Sequence, residues 1–248
     1  MTTMSMWRPD MVRFMRDAAT HSDYNARLRD MMLPYLHPQD SICDAGCGLG
    51  YLSLALAPYV RQITAIDQSE SAIAVLRENC AAQRIGNICA QCERMEHVTV
   101  HAPFDAMIFC LYGQLDEILD ISRRMCRGNI LIVKRNEPYH RFSAGMVRKK
   151  ADGYAGAAER LRAMDVPFEE KEMTLSLNQP FRNMEDARRF FRLYSQDKNK
   201  RVAAEDYLRN RLRETDDPAF PLELPRASCP PSITTCPCWA SCMAARAK

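Results

Sequence analysis

Ser41-Ile42-Cys43-Asp44-Ala45-Gly46-Cys47-Gly48-Leu49-Gly50, followed by Tyr51-Leu52-Ser53-Leu54-Ala55-Leu56-Ala57, decides the fold. The short, mostly apolar run to Ala45 reads as a strand, and the segment from Tyr51 opens a helix. Between them Gly46, Gly48 and Gly50 permit a tight turn and let a ligand approach bare backbone. The start of the helix presents unpaired N–H groups and the positive end of its dipole. It predicts a ligand carrying an anionic group, such as a phosphate or a carboxylate. Turn glycines before a helix also serve packing alone, so the triplet by itself leaves both readings open.

A second signal weighs against packing alone. Gln62 to Ile66 is another short apolar strand, ending at Asp67 ahead of the helical segment Glu70 to Gln83. Consecutive parallel strands end on the same edge of the sheet, so Asp67 is placed to accept hydrogen bonds from two ribose hydroxyls. An acid there also suits a helix N-cap, but Ser69 can cap this helix and leave Asp67 free. The glycine spacing is not that of a dinucleotide fingerprint, Gly-x-Gly-x-x-Gly: the last glycine arrives one residue early and an acid lies within the motif.

The run Asp44-Ala45-Gly46-Cys47-Gly48-Leu49-Gly50 resembles the first motif of the class I S-adenosylmethionine-dependent methyltransferases. The resemblance covers about residues 41–134, with specific motifs at Asp44 to Gly50 and at Asp67. It implies S-adenosyl-L-methionine as cofactor. Asp44, Gly46, Cys47, Gly48 and Gly50 would lie against its methionyl part, and Asp67 with Gln68 against its ribose. Glu93 with Arg94, at the end of a third strand over Asn87 to Cys92, would face the adenine. Phe104 to Leu111 is a fourth strand, nearly continuously apolar as expected when helices cover both faces. It ends at Tyr112, where such enzymes bring the acceptor to the sulfonium. The chain lacks an Asn-Pro-Pro-Tyr motif and a Pro-Cys pair, so Cys110 reads as a buried strand residue and no catalytic residue is assigned. Holding nucleophile and methyl in line supplies much of the rate. An aromatic wall from Tyr112, Trp7 or Tyr24 suits the cation.

The flanks have only general features. Met6 to Ala18 and Asp23 to Tyr35 show helical apolar spacing, and in the resembling family such leading helices fold over the cleft. Leu115 to Cys126 reads as a helix, Asn129 to Lys134 as a fifth strand and Gly153 to Met164 as an amphipathic helix. Phe168 to Leu177 alternates through Met173, Leu175 and Leu177, as a half-exposed antiparallel strand does. Met184 to Tyr194 and Val202 to Leu212 are further helices, inserted where the last hairpin should return. Phe190, Phe191, Tyr194 and Tyr207 are candidate lid residues or core residues of those helices. Phe220 to Leu224 reads as the start of the final strand. Beyond it, prolines at 225, 230, 231 and 237 and cysteines at 229, 236, 238 and 242 read as a tail without a strand. Their spacing fits none of the paired zinc patterns, so no metal is expected.

Composition bounds the rest. The chain has 248 residues, 47% hydrophobic and 26% charged, enough for a substantial core. Its net charge of +3 does not by itself argue for nucleic acid, and pairs such as Arg123-Arg124, Lys149-Lys150 and Arg188-Arg189 read as solvated helix faces. No apolar run reaches membrane-spanning length and no secretory core opens the chain, so a cytoplasmic location is the expectation. Eleven cysteines, an odd number, scattered through the elements read as reduced thiols. Cys89 and Cys92 fall along a strand rather than at a helix start, against a redox role.

The expected fold is α/β, a doubly wound, mainly parallel Rossmann-like sheet with leading helices and an inserted helical lid. The expected organisation is N-terminal helices over 1–40, a cofactor-binding core over 41–180, an insertion with the start of the last strand over 181–224, and an atypical tail over 225–248. The expected function is methyl transfer to a small molecule. RNA methylation, a non-catalytic S-adenosylmethionine-binding role and nicotinamide oxidoreduction stand as alternatives.

Overall fold

The computed structural model describes residues 7–136, 142–143, 153–196, 200–225 and 231–236. The chain opens with helices α1 (Pro9–Thr20) and α2 (Tyr24–Met32). It then alternates β1 (Ser41–Ala45), α3 (Tyr51–Leu56), β2 (Gln62–Asp67), α4 (Glu70–Gln83), β3 (Ile88–Cys92), β4 (Phe104–Cys110), α5 (Leu115–Met125) and β5 (Cys126–Arg135). Helix α6 (Tyr154–Ala163) and strand β6 (Glu169–Glu172) follow. An inserted unit comes next: β7 (Gln179–Phe181), α7 (Met184–Tyr194), α8 (Lys200–Arg211), β8 (Arg213–Glu214) and β9 (Leu222–Leu224). After it the chain returns through β10 (Pro231–Cys236).

The main sheet runs β3-β2-β1-β4-β5-β10-β6. The first five strands are parallel, and β10 is antiparallel to both β5 and β6. Strict alternation along the central strands feeds two cores. Ile42, Ala106, Ile108, Leu131 and Val133 face one, covered by Leu28 and Met32 of α2 and Leu56 of α3. Cys43, Ala45, Met107, Phe109, Ile130 and Ile132 face the other, under Leu115, Ile118 and Met125 of α5. A strand buried on both faces has few polar positions, which is why these segments read as nearly continuous apolar runs.

The end of the chain corrects two expectations. Leu222–Leu224 does not begin the seventh strand; it pairs with β7 and β8 in a separate small sheet. The seventh strand lies within the segment expected to be a tail, where Ser232 to Cys236 ladder against β5 and Thr235 to Ser232 against β6. Its Ile233-Thr234-Thr235 centre is β-branched, a strand signal outweighed in the sequence by the prolines and cysteines around it. Cys229, Cys238, Cys242 and the Lys149-Lys150 pair lie outside the described residues. A third correction concerns Phe168 to Leu177. Only Glu169–Glu172 is a strand, an exposed edge protected by its charges. Leu175 is buried, and Met173 and Leu177 are partly buried, in the core shared with α2 and α3.

Among the described residues, none from the inserted helices lines the cavities over the glycine loop. Phe190, Phe191 and Tyr207 are buried with Phe14 and Phe181 in a separate core, against which Tyr194 packs, so they hold the insertion together and to α1. Ion pairs reinforce that joint: Arg13 grips both oxygens of Asp186 at 2.9 and 2.6 Å, Arg182 pairs with Asp17, and Arg189 with Asp10. Helix α1 is thereby fastened to the insertion on one side, while its Met15 and the preceding Trp7 pack toward the glycine loop on the other.

Candidate functional site

The loop after β1 takes its shape from left-handed backbone at Gly46, Gly48 and Gly50, with φ of 70°, 54° and 75°. Gly46 also makes room for a neighbour: a Cβ there would come within 2.2 Å of the Tyr112 ring, which lies over it. Four of the loop's amides are engaged within the protein. Gly46 and Cys47 N–H donate to the Ile66 carbonyl at 2.8 and 3.0 Å, and Gly50 N–H donates to the Cys47 carbonyl at 3.0 Å. Gly48 N–H donates to Asp67 Oδ2 at 2.9 Å. Helix α3 is short, and no phosphate-cradling row of donors remains at these four positions.

Asp67 therefore has a structural duty that its spacing did not announce. Besides Gly48 N–H, its Oδ1 accepts from Ser69 N–H at 2.9 Å, so the carboxylate ties the glycine loop to the start of α4. Ser69 does act as the N-cap, its hydroxyl accepting from Ala72 N–H.

Two cavities meet over this loop, sharing Gly46, Asp67 and Leu111 in their walls. The first, about 290 Å³, lies over the glycine loop, with Asp44, Cys47, Gly48 and Gly50 in its floor and Trp7 and Tyr24 in its walls. The second, about 500 Å³, is bordered by Gln68, Glu93, Arg94, Tyr112 and Glu117. All of the residues expected at the cofactor from the sequence line one cavity or the other. Leu111, Met15, Asn25, Leu177 and Arg135 line the first without having been singled out. Only Arg135 carried a signal, as a cation closing the fifth apolar strand.

The end of β4 is held in a strained turn. Leu111 has a φ of 58° and is exposed at the boundary of the cavities. A left-handed leucine costs on the order of 1–2 kcal/mol. The turn is fixed by Leu111 N–H donating to the Val133 carbonyl at 3.0 Å and by the buried Lys134 ammonium, which donates to the carbonyls of Tyr112, at 3.1 Å, and Gly113. Tyr112 in turn donates its hydroxyl to Glu117 at 2.7 Å, and burial, with that carboxylate, pushes its ionisation well up. Removing Lys134 leaves the two carbonyls without this donor. Lys134→Met is expected to lower stability by about 2–3 kcal/mol in urea unfolding.

Electrostatics single out Asp44. Complete burial pushes its carboxyl up to about 6; a 2.5 Å hydrogen bond from Ser53 opposes this, and the charge of Asp67 adds to it. The folded protein thus holds this proton more tightly than the unfolded chain does. The stability from this group is fully present below about pH 4 and is lost as pH rises through about 6. Asp44→Asn keeps an acceptor for Ser53 and removes the charge. It is expected to stabilise the ligand-free protein at about pH 8 by up to about 3 kcal/mol, with no gain at about pH 4. Thermal melts at the two pH values check it. The thiols in the same cavity stay protonated: burial pushes Cys47 up, with Asp44 and Asp67 adding, and pushes Cys110 up to about 12.

Comparison with known proteins agrees with this geometry. Residues 42–128 match the family model described as a methyltransferase domain. The ubiquinone biosynthesis O-methyltransferase of Coxiella burnetii is 34% identical over 93 residues, 38% of this chain and 38% of that protein, so the likeness spans well under half of either. Two solved structures share the fold. The YcgJ protein of Bacillus subtilis is 12% identical with a TM-score of 0.57, covering 85% of this chain and 97% of its own. The [4+2]-cyclase SpnF is 16% identical with a TM-score of 0.55, covering 92% of each. The sheet order and the loop over Gly46 to Gly50 define a Rossmann-like methyltransferase fold. Over residues 42–128, about a third of its length, the chain is similar to the methyltransferase domain, and the match spans 38% of the curated relative.

Proposed function

We propose that the protein binds S-adenosylmethionine across the two joined cavities and transfers its methyl group to a small-molecule acceptor. The observation that carries the reading is the convergence of all the expected cofactor residues, from Asp44 to Tyr112, on cavities at the carboxyl ends of β1, β2 and β4. The residues present fit the cofactor. The buried Asp44 carboxylate suits a cationic group over the loop, and engaged loop amides suit a ligand without phosphate. Asp67 stands where the cavities join, within reach of a sugar that spans them, and Glu93, Arg94 and Tyr112 border the second cavity for a base. When bound, the cofactor supplies an electrophilic methyl on a sulfonium. The chain's part is to hold the acceptor in line with it and to keep Asp44 ionised beneath it.

Isothermal calorimetry tests the binding, with S-adenosylhomocysteine expected to bind and NAD not. Affinity for S-adenosylmethionine is expected to fall as pH drops through about 6, because protonated Asp44 no longer attracts its cation. Mass spectrometry of methylated products tests the transfer. Binding with no transfer to any acceptor in a broad screen would favour the non-catalytic reading. Small-molecule transfer is supported over RNA by the surface charges. Arg188 pairs with Glu205, Arg189 with Asp10 and Arg192 with Glu185, leaving α7 no unpaired basic track among these three. No helix among the described residues is long and apolar enough to cross a membrane.

A further inference from the structure

We infer that Asp186, on the inserted unit, is a positioning residue for the cofactor: by holding Arg13 it sets helix α1, and through α1 it keeps Trp7 and Met15 in place over the glycine loop. This rests on the cofactor reading above and adds to it the residues, outside both cavities, that seat one cavity wall. Helix α1 carries two stripes. Asp10, Arg13, Phe14 and Asp17 recur at intervals of three and four and share one face, while Val12 and Met15, also three apart, lie on the opposite one. The first face meets the insertion. Phe14 is fully buried there, edge-on to the rings of Phe181 and Phe190 at 6.1 and 5.1 Å, and its carbonyl accepts from the buried Gln179 side chain at 3.1 Å. Beside it, two charges from α1 and two from the insertion close a ring. Arg13 holds both oxygens of Asp186, and Asp17 accepts from Arg182 at 3.0 Å. Arg13 with Asp17, at 3.5 Å, and Arg182 with Asp186, at 3.7 Å, complete it. The side chains of Asp17 and Asp186 are only 10% and 14% exposed, so these pairs are screened less than surface ones, and the fork from Arg13 is bidentate.

The second face meets the first cavity. Met15 and Trp7 line that cavity, and with Val12 they are only partly buried against Leu49, Ala72 and Val75. This contact is apolar, shallow and next to open space, whereas the opposite face is locked by rings and paired charges. The grip on α1 therefore comes from the insertion, and a helix of twelve residues passes a displacement of one face to the other. The insertion lines neither cavity among the described residues, yet it acts on the cleft through a residue 173 positions away in the chain. A cofactor seated on Gly48 lies beside Trp7, which a Cβ at Gly48 would meet at 3.3 Å. Loosening the ring of charges lets that wall retreat, so it speeds dissociation of the cofactor more than it slows association.

The test is a double-mutant cycle on the full chain, with Arg13→Met, Asp186→Ala and the pair, read as affinity for S-adenosylhomocysteine well below the melting temperature of each variant. Each single change is expected to weaken binding roughly threefold to thirtyfold, and the pair to fall within about twofold of the weaker single. Arg13→Lys, which keeps the charge and loses the fork, is expected to lie between. It carries the same reading should the larger changes not fold. Arg188→Gln breaks pairs with Glu205 and Glu185 that lie within the insertion, and is expected to bind within about twofold of the unmodified protein. In a Trp239→Phe background Trp7 is the single tryptophan, and acrylamide is expected to quench it more strongly in Asp186→Ala than in the parent. Lower melting temperatures with unchanged affinity and unchanged quenching would show that the joint only stabilises the fold. That result, or an equal loss of affinity in Arg188→Gln, overturns the inference and leaves the cofactor reading standing. Failure of the unmodified protein to bind S-adenosylhomocysteine overturns the cofactor reading, and the quenching of Trp7 then decides separately whether Asp186 sets the wall.

Discussion

Gly48→Val is expected to abolish binding of S-adenosylhomocysteine and to lower the melting temperature of the ligand-free protein. Gly48 sits at a φ of 54°, where a β-branched residue is strained by more than the roughly 1–2 kcal/mol of an ordinary left-handed residue. A Cβ there would lie 3.3 Å from Trp7 Cζ2, and valine adds two methyls beyond that point, toward the cavity that Trp7 and the loop enclose. Relief requires the loop or Trp7 to move. The loop is tied by Gly48 N–H to Asp67, and Trp7 is tied by its carbonyl, which accepts from the Ser71 hydroxyl at 3.1 Å. Gly48→Ala is expected to bind weakly rather than not at all, since one methyl meets only the ring. If the unmodified protein binds the cofactor and Gly48→Val binds it equally well, the cofactor does not sit on this loop.

The parts of the site that the sequence displays are those where one physical demand dominates. The strand–glycine–helix succession from Ser41 and the acid at Asp67 are visible because a turn that needs left-handed backbone excludes most side chains, and strand ends line one edge. The parallel core strands are visible because burial on both faces leaves them mostly apolar, with Asp44 and Lys134 as exceptions near the strand ends. What stayed hidden depends on partners distant in sequence. Pro231–Cys236 is a strand because β5 and β6 both offer it a ladder, not because its own residues insist on one. Leu175 alternates with its neighbours like a strand residue, yet is buried because the sheet face shared with α2 needs covering. Phe190, Phe191 and Tyr207 sit at helical spacing that suits either a lid or a core, and Phe14 of α1 decides for the core. Lys134 is a charged end to an apolar strand until the two carbonyls it receives from the strained turn after β4 are known.

Asp67→Ala is expected to weaken S-adenosylhomocysteine by one to two orders of magnitude, and two causes must be separated. The ribose contribution is the loss of hydrogen bonds to a charged acceptor, worth about 1.5–3 kcal/mol, or roughly ten- to a hundredfold in affinity. The second cause is the loop. Alanine also removes the acceptor for Gly48 N–H and Ser69 N–H, so stability is expected to fall by about 1–3 kcal/mol and the loop to lose its tether. Asp67→Asn keeps one acceptor oxygen and is expected to fall between the two. The causes part in a thermodynamic cycle of the unmodified protein and Asp67→Ala against adenosine and 2′,3′-dideoxyadenosine. If Asp67 receives the ribose hydroxyls, deleting them costs affinity in the unmodified protein and almost nothing in Asp67→Ala. A penalty of the same size in both proteins would show that Asp67 acts only by pinning Gly48, and that the sugar is held by another group lining the cleft.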